Sequence, residues 1–122
     1  MNRPLTPPSR PYTTEEYFAR AEEHFFVSKN PRCVYPHGPT LCLYSGTGCA
    51  VGFVMTERHA KRIDYSGPVG QIYAKEPDIY HQYFTDEQLP MLNEMQLWHD
   101  STTSFGNREM FDAIRAKYTA KV

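Results

Sequence analysis

The stretch TLCLYSGTGCAVGFVMT, residues 40–56, decides the fold class, because it is here that the sequence predicts a strand. Residues 40–44 fit a short strand, and the SGTG that follows is typical of a tight glycine turn. The remaining CAVGFVMT is ambiguous: its alternation fits the second strand of a hairpin, whereas the continuation ERHAKRI favours a helix over about residues 49–62. We prefer the helix, which places Cys49 in its first turn.

Before this stretch, the sequence predicts an arm and a helix. Residues 1–12 contain four prolines, which exclude a helix and favour an extended arm. Thr13 and Glu16 have the spacing of a capping box in front of an apolar stripe at helical intervals. The pair Asn30-Pro31 is expected to end that helix.

After this stretch, the pattern is irregular at first and then helical. Glycine and proline interrupt residues 64–84, for which we predict no regular element. Thr85 and Gln88 form a second capping-box pattern, before a helix that ends near residues 99–101. A last amphipathic helix is predicted over residues 107–120.

Together these patterns predict an α+β fold that is mainly helical, with three to four helices around a short strand or hairpin. Residues 13–122 form a single globular domain in this prediction, since 122 residues suit one domain. The formal net charge of −1 argues against strong non-specific nucleic-acid binding. No apolar run approaches the roughly 18 residues of a membrane span, and the N-terminus lacks the apolar core of a signal peptide.

Two motifs resemble a family of small proteins encoded by tailed bacteriophages. The first is Cys42-Leu43-Tyr44, a glycine turn and then CAVGFVM, residues 49–55. The second comprises Leu92, Met95, Gln96, His99 and Asp100. The similarity covers about residues 13–120, and the order of elements agrees. The resemblance implies a phage origin and action in the cytoplasm of an infected bacterium, but it implies no particular activity.

Cys49, His99 and Asp100 are the candidate catalytic residues. A thiolate near a helix N-terminus is a good nucleophile, and a histidine can accept its proton while an acidic group orients the ring. Asp100 adjoins His99, however, and neighbouring side chains on a helix point about 100° apart. We therefore expect Asp100 to be poorly placed to orient that ring, and we favour buried packing for Cys49.

The three cysteines and a nearby histidine were considered as zinc ligands. Cys33, His37, Cys42 and Cys49 have irregular spacings without the Cys-x2-Cys knuckle, so we predict no metal and no cofactor. An odd cysteine count without a secretory signal instead indicates a reducing compartment.

The tyrosines are the candidate binding surface. Tyrosine is enriched at interfaces because it combines a large contact area with a polar tip. Several aromatic residues fall in the irregular region or close to it and exceed what a core of this size must bury. The proposed surface comprises Tyr65, Tyr73, Tyr80, Tyr83 and Trp98.

The function predicted from the sequence is that of a bacteriophage accessory protein that binds a host protein, as an inhibitor of antiviral defence. One alternative is a small cysteine-dependent hydrolase or transferase that uses Cys49 and His99. Another is a virion or assembly component that docks through the proline-rich arm. The sequence leaves the oligomeric state open.

Overall fold

The fold is all-helical in the part of the chain that the structure describes, so the predicted α+β class is wrong. The structure is a computed structural model that describes residues 3–30, 44–45, 49–64, 67–101 and 103–119, and every regular element within these ranges is a helix. Tyr44, the last residue of the predicted strand, is not in a strand. Its amide donates to the Asp64 carboxylate at 2.7 Å rather than to a neighbouring strand. The rest of the predicted strand, residues 40–43, lies outside the described residues.

The described residues contain six α-helices and three shorter helical turns. The α-helices are α1 (Thr14–Glu22), α2 (Glu57–Ile63), α3 (Val69–Lys75), α4 (Pro77–Tyr83), α5 (Leu89–Asp100) and α6 (Arg108–Thr119). A π-helical turn, Glu23–Val27, extends α1, while 3-10 turns precede α2 and α5 at Gly52–Val54 and Asp86–Gln88.

The two predicted capping boxes are confirmed. The Thr13 hydroxyl accepts from the amide of Glu16 at 3.1 Å, and the Glu16 carboxylate accepts from the amide of Thr13 at 2.8 Å. At the second box, the amide of Thr85 donates to the Gln88 side chain at 2.9 Å. The Gln88 amide group also donates to the carbonyl of Tyr12 at 2.8 Å, which ties α5 to the start of α1.

The helix predicted over residues 49–62 is interrupted. It begins as a turn and the Gly52–Val54 helix, after which Met55 is extended and Thr56 caps the new helix α2. Gly52, the first residue of this 3-10 turn, lies against the backbone of Tyr44. A Cβ at this position would approach the Tyr44 carbonyl oxygen to 2.4 Å.

Two short helices occupy the region that we predicted to be irregular. Pro68 is the N-cap of α3 and Pro77 is the first residue of α4. Proline is tolerated at these positions because the first turn of a helix has no intrahelical acceptor for its amide. The prolines therefore start helices here instead of breaking them.

The proline-rich arm is held to the domain through a buried arginine. The Arg3 side chain is 8% exposed, and it pairs with Glu57 at 2.9 Å. Its guanidinium also donates to the carbonyls of Gly52 and Tyr44 at 2.6 Å and of Met55 at 3.1 Å. The arm thus closes over the junction between the 3-10 turn and α2.

Ion pairs hold helix α6 against α1 and α5. Glu22 on α1 pairs with Arg108 at 3.0 Å and with Arg115 at 2.7 Å. Glu94 on α5 pairs with Lys117 at 2.9 Å. The predicted last helix is confirmed, and its apolar stripe packs inward through the buried Phe111.

Candidate functional site

Cys49 is a core residue. Its side chain has no exposed surface. The sulfur accepts from the backbone amides of Val51 and Gly52 at 3.4 and 3.3 Å. The next residue, Ala50, accepts a 2.5 Å hydrogen bond from the buried hydroxyl of Tyr17. A substrate could not reach the thiol without displacing this packing.

His99 and Asp100 do interact, contrary to the expectation from helix geometry. Nδ1 of His99 lies 3.0 Å from the Asp100 carboxylate, although the two residues are adjacent on α5. The imidazole is fully buried, and its ring packs against Phe25 and Phe105 with centroids 5.7 and 5.3 Å away. Asp100 lies nearer to solvent and also accepts from the Gln96 amide at 3.3 Å.

The structure does not assemble the three candidates into a nucleophile–base–acid set. Within the described ranges, the hydrogen bonds of the Cys49 sulfur are those from two backbone amides, and none joins it to His99. A nucleophilic mechanism requires the base within hydrogen-bond reach of the thiol, directly or through one water. The described residues thus bring the base and acid together and leave the nucleophile apart.

Most of the predicted tyrosine surface is buried. Tyr80 and Tyr83 have no exposed side-chain surface and Trp98 is 2% exposed, so these three do not form a binding face. They are buried because their polar atoms find partners inside the protein: the Tyr80 hydroxyl donates to the carbonyl of Thr85 at 2.7 Å, and the indole N–H donates to that of Asn107 at 3.2 Å. Tyr73 is half-buried, and Tyr65 lies outside the described residues.

Tyr83 belongs to a buried polar cluster that the sequence did not suggest. Its hydroxyl lies 2.8 Å from Nδ1 of His59 and accepts from the amide of Thr56 at 3.0 Å. Burial, followed by the charges of Arg58 and Arg62, lowers the pKa of His59. A neutral imidazole suits this setting, and the cluster links α2 to α4.

Three of the four candidate zinc ligands, Cys33, His37 and Cys42, lie outside the described residues. Elsewhere in the chain, as far as the structure describes it, no group of three or more His, Cys, Asp or Glu side chains could hold a metal ion.

A groove of about 690 Å³ lies between α1, the π-helical turn and the 3-10 turn Gly52–Val54. We call it the α1 groove. Its lining comprises Glu16, Ala19, Arg20, Glu23, His24, Ser28, Asn30, Phe53 and Val54. The imidazole of His24 stacks on Phe53 with centroids 4.8 Å apart, and its Nδ1 lies 3.1 Å from the Asn30 amide nitrogen.

The backbone at one end of the α1 groove is unusual in two ways. The Glu23–Val27 segment is π-helical, a conformation that is rare and frequent at functional sites. Lys29 has a φ of 55°, in the left-handed region that residues other than glycine seldom occupy. Such conformations cost free energy and concentrate at functional sites.

Among the described residues that line the α1 groove, Arg20 is a cation without an ion pair. Arg10 donates to both Glu16 oxygens at 2.8 and 3.1 Å, and these hydrogen bonds lower the pKa of Glu16 to about 2. The Arg20 guanidinium lies 4.9 Å from the ring centroid of Tyr12 and forms no ion pair with the described residues. Glu23, also in the lining, accepts from the Ser28 hydroxyl at 3.3 Å and forms no ion pair with the described residues, so the groove presents one positive and one negative group to a partner.

Sequence analysis did not identify this groove. Glu16, Arg20 and Glu23 lie three or four residues apart, so they share one helical face, and this spacing was the available signal. The π-helical turn and the contact with Phe53 depend on packing between distant segments, which periodicity does not reveal.

The described residues thus form a helical fold with a surface groove next to α1. No family model, curated protein or solved structure matches the chain. None of the helices in the described ranges is both long and apolar enough to cross a membrane.

Proposed function

We propose that this chain is a bacteriophage accessory protein that binds a protein of the infected bacterium through the α1 groove. It acts in the bacterial cytoplasm as an inhibitor of antiviral defence. The phage origin and the cellular location are supported by the resemblance of the Cys-x-Tyr and Cys-Ala-Val-Gly motifs. The binding role is carried by one observation, the 690 Å³ groove with an available arginine on its rim.

Binding is favoured over catalysis because the candidate nucleophile is buried, whereas the polar groups that a partner could contact lie in a separate surface groove. Cys49, the candidate nucleophile, is enclosed by the core, whereas the α1 groove offers a guanidinium, an amide and an apolar floor at the surface. These groups suit recognition of a partner side chain. Arginine is also enriched among the residues that dominate binding energy at interfaces.

Substitution of Arg20 tests this proposal. We expect Arg20→Ala to weaken partner binding at least about tenfold, which corresponds to about 1.4 kcal/mol, because the variant removes the available charge. Alanine favours the helical state, so α1 should be preserved. The partner is first identified by affinity capture from host lysate, and its dissociation constant is then measured by calorimetry with purified proteins.

Lys61→Ala is the matched control. It removes one exposed positive charge from α2, a helix that is far from α1 in the sequence. It should bind like the unmodified protein. Capture of no specific partner would contradict the proposed function. Equal affinity of the Arg20→Ala variant and the unmodified protein would instead contradict the assignment of the α1 groove.

A further inference from the structure

The side chain of His81 has an oxygen acceptor at both of its ring nitrogens. It lies in the last turn of α4, and its Nδ1 is 2.9 Å from the carbonyl oxygen of Pro77. Its Nε2 is 2.6 Å from a carboxylate oxygen of Asp86. A carbonyl and an ionised carboxylate can only accept, so both ring nitrogens must carry a proton to make both hydrogen bonds.

The same contacts join three elements. His81 is on α4, and Asp86 begins the 3-10 turn that leads into α5. The ring of Tyr73 on α3 packs edge-on against the imidazole with centroids 5.7 Å apart. A change at this imidazole therefore acts on the point where α3, α4 and α5 meet.

We infer that His81 is a pH-responsive clasp, which fixes the connection between α4 and α5 while its imidazole is doubly protonated. In the neutral imidazole, one ring nitrogen presents a lone pair to an oxygen lone pair. That contact is repulsive, so either the Pro77 or the Asp86 hydrogen bond is lost. The connection then becomes less constrained, while the core beneath it stays packed.

The charged and titratable groups around the ring favour the protonated form. Asp78 lies on the same helix, while Asp86 and Tyr73 face the ring from the neighbouring elements. The ring of Tyr80 packs against the imidazole of His81, with the two centroids 5.2 Å apart. The hydrogen bond that His81 donates to Asp86 is the main cause that raises the pKa of His81 above 6.5, and the same hydrogen bond is the main cause that lowers the pKa of Asp86 below 3.8.

The raised pKa of His81 and the lowered pKa of Asp86 define the pH range in which the clasp is formed. Because the folded pKa of His81 is raised, its contribution to stability is fully present below about pH 6.5 and is lost as the pH rises through the folded value. Because the folded pKa of Asp86 is lowered, its contribution is lost as the pH falls through that value. The clasp is complete between the two folded pKa values.

Nitrogen NMR of the full chain tests the inference directly. At pH 6.5 we expect the shifts of both His81 nitrogens to be mainly those of an imidazolium, with a titration midpoint above that of an unstructured histidine. On passing this midpoint, amide exchange at Phe84 and Gln88, corrected for intrinsic base catalysis, should accelerate. Asp86→Asn should lower the midpoint and remove the acceleration.

Asp78→Asn is the matched control, because it removes a nearby carboxylate that makes no hydrogen bond to the ring; it should preserve the acceleration. The inference is overturned if His81 titrates at or below the midpoint of an unstructured histidine. It is also overturned if amide exchange does not follow the titration. Should Asp86→Asn fail to fold, the titration and exchange of the unmodified protein still decide the question.

Discussion

At Gly52 the backbone lies directly against that of Tyr44, eight residues earlier in the sequence. A methyl group there would lie 2.4 Å from the carbonyl oxygen and 2.7 Å from the Cα of Tyr44, both of which are backbone atoms. We therefore expect Gly52→Ala to lower the free energy of unfolding by about 1–3 kcal/mol, the usual cost of overpacking. Urea denaturation followed by Trp98 fluorescence measures this change.

Gly70 provides the contrast for that prediction. It lies in α3, where an added Cβ meets no atom within 4 Å. Gly70→Ala should leave stability unchanged or raise it by up to about 1 kcal/mol, because alanine loses less conformational entropy in a helix. Equal destabilisation by both substitutions would show that the contact with Tyr44 is not what requires glycine at position 52.

Local features of single residues were the most predictable part of the molecule. The capping boxes at Thr13 and Thr85 depend on residues three positions apart, and the structure confirms both. The need for glycine at position 52 depends on Tyr44, which no local pattern relates to it. The hydrogen bond between His99 and Asp100 was not predicted for another reason. Helical spacing fixes the direction of each Cα–Cβ bond, whereas the side-chain rotamer determines where the polar atoms lie.

At the scale of elements, the arm and the 3-10 turn stabilise one another through Arg3. Its guanidinium donates to the carbonyls of Tyr44, Gly52 and Met55, and so joins the arm to both ends of the short helix Gly52–Val54. We expect Arg3→Ala to cost at least about 1.5–3 kcal/mol of unfolding free energy, since hydrogen bonds to charged groups are worth that much. Chemical denaturation with circular dichroism measures the loss.

Arg10→Ala is the natural control for this prediction. Arg10 lies on the same arm, but its ion pair with Glu16 is at the surface, where such pairs contribute little. The control should therefore unfold close to the unmodified protein. If Arg3→Ala also left the unfolding midpoint unchanged, the arm would have no role in stabilising the 3-10 turn.

The short helices explain why the order of elements was only partly predictable. Helices α3 and α4 have seven residues each, too few to show a helical period clearly, and a proline stands at the N-cap of α3 and at the first position of α4. Such helices are stabilised mainly by tertiary packing, here through buried residues such as Ile72 and Tyr80. The longer helices α1, α5 and α6 carry their own periodicity, and each was predicted.

At the scale of the whole molecule, the aromatic residues form a connected core. Trp98 on α5 packs against Phe25 and Phe111 with centroids 5.4 and 5.6 Å away, which joins the π-helical turn to α6. Phe25 also packs against Phe53, which extends the contacts to the 3-10 turn. The sequence showed an aromatic excess but not this convergence, because convergence is a property of the tertiary fold. Tyr80, Tyr83 and Trp98, three of the residues proposed for a binding surface, are buried in this core.

A continuous core predicts that the thiol of Cys49 becomes reactive only when the whole domain unfolds. Cys49 is fully buried near the 3-10 turn, and Trp98 reports on the packing between α5 and α6. In a two-state transition both probes change together. We therefore expect pulsed alkylation of Cys49, resolved from Cys33 and Cys42 by peptide mass spectrometry, to share its urea midpoint with Trp98 emission. Alkylation of Cys49 at urea concentrations where Trp98 emission is still native would reveal a local opening and would revive the cysteine-dependent mechanism.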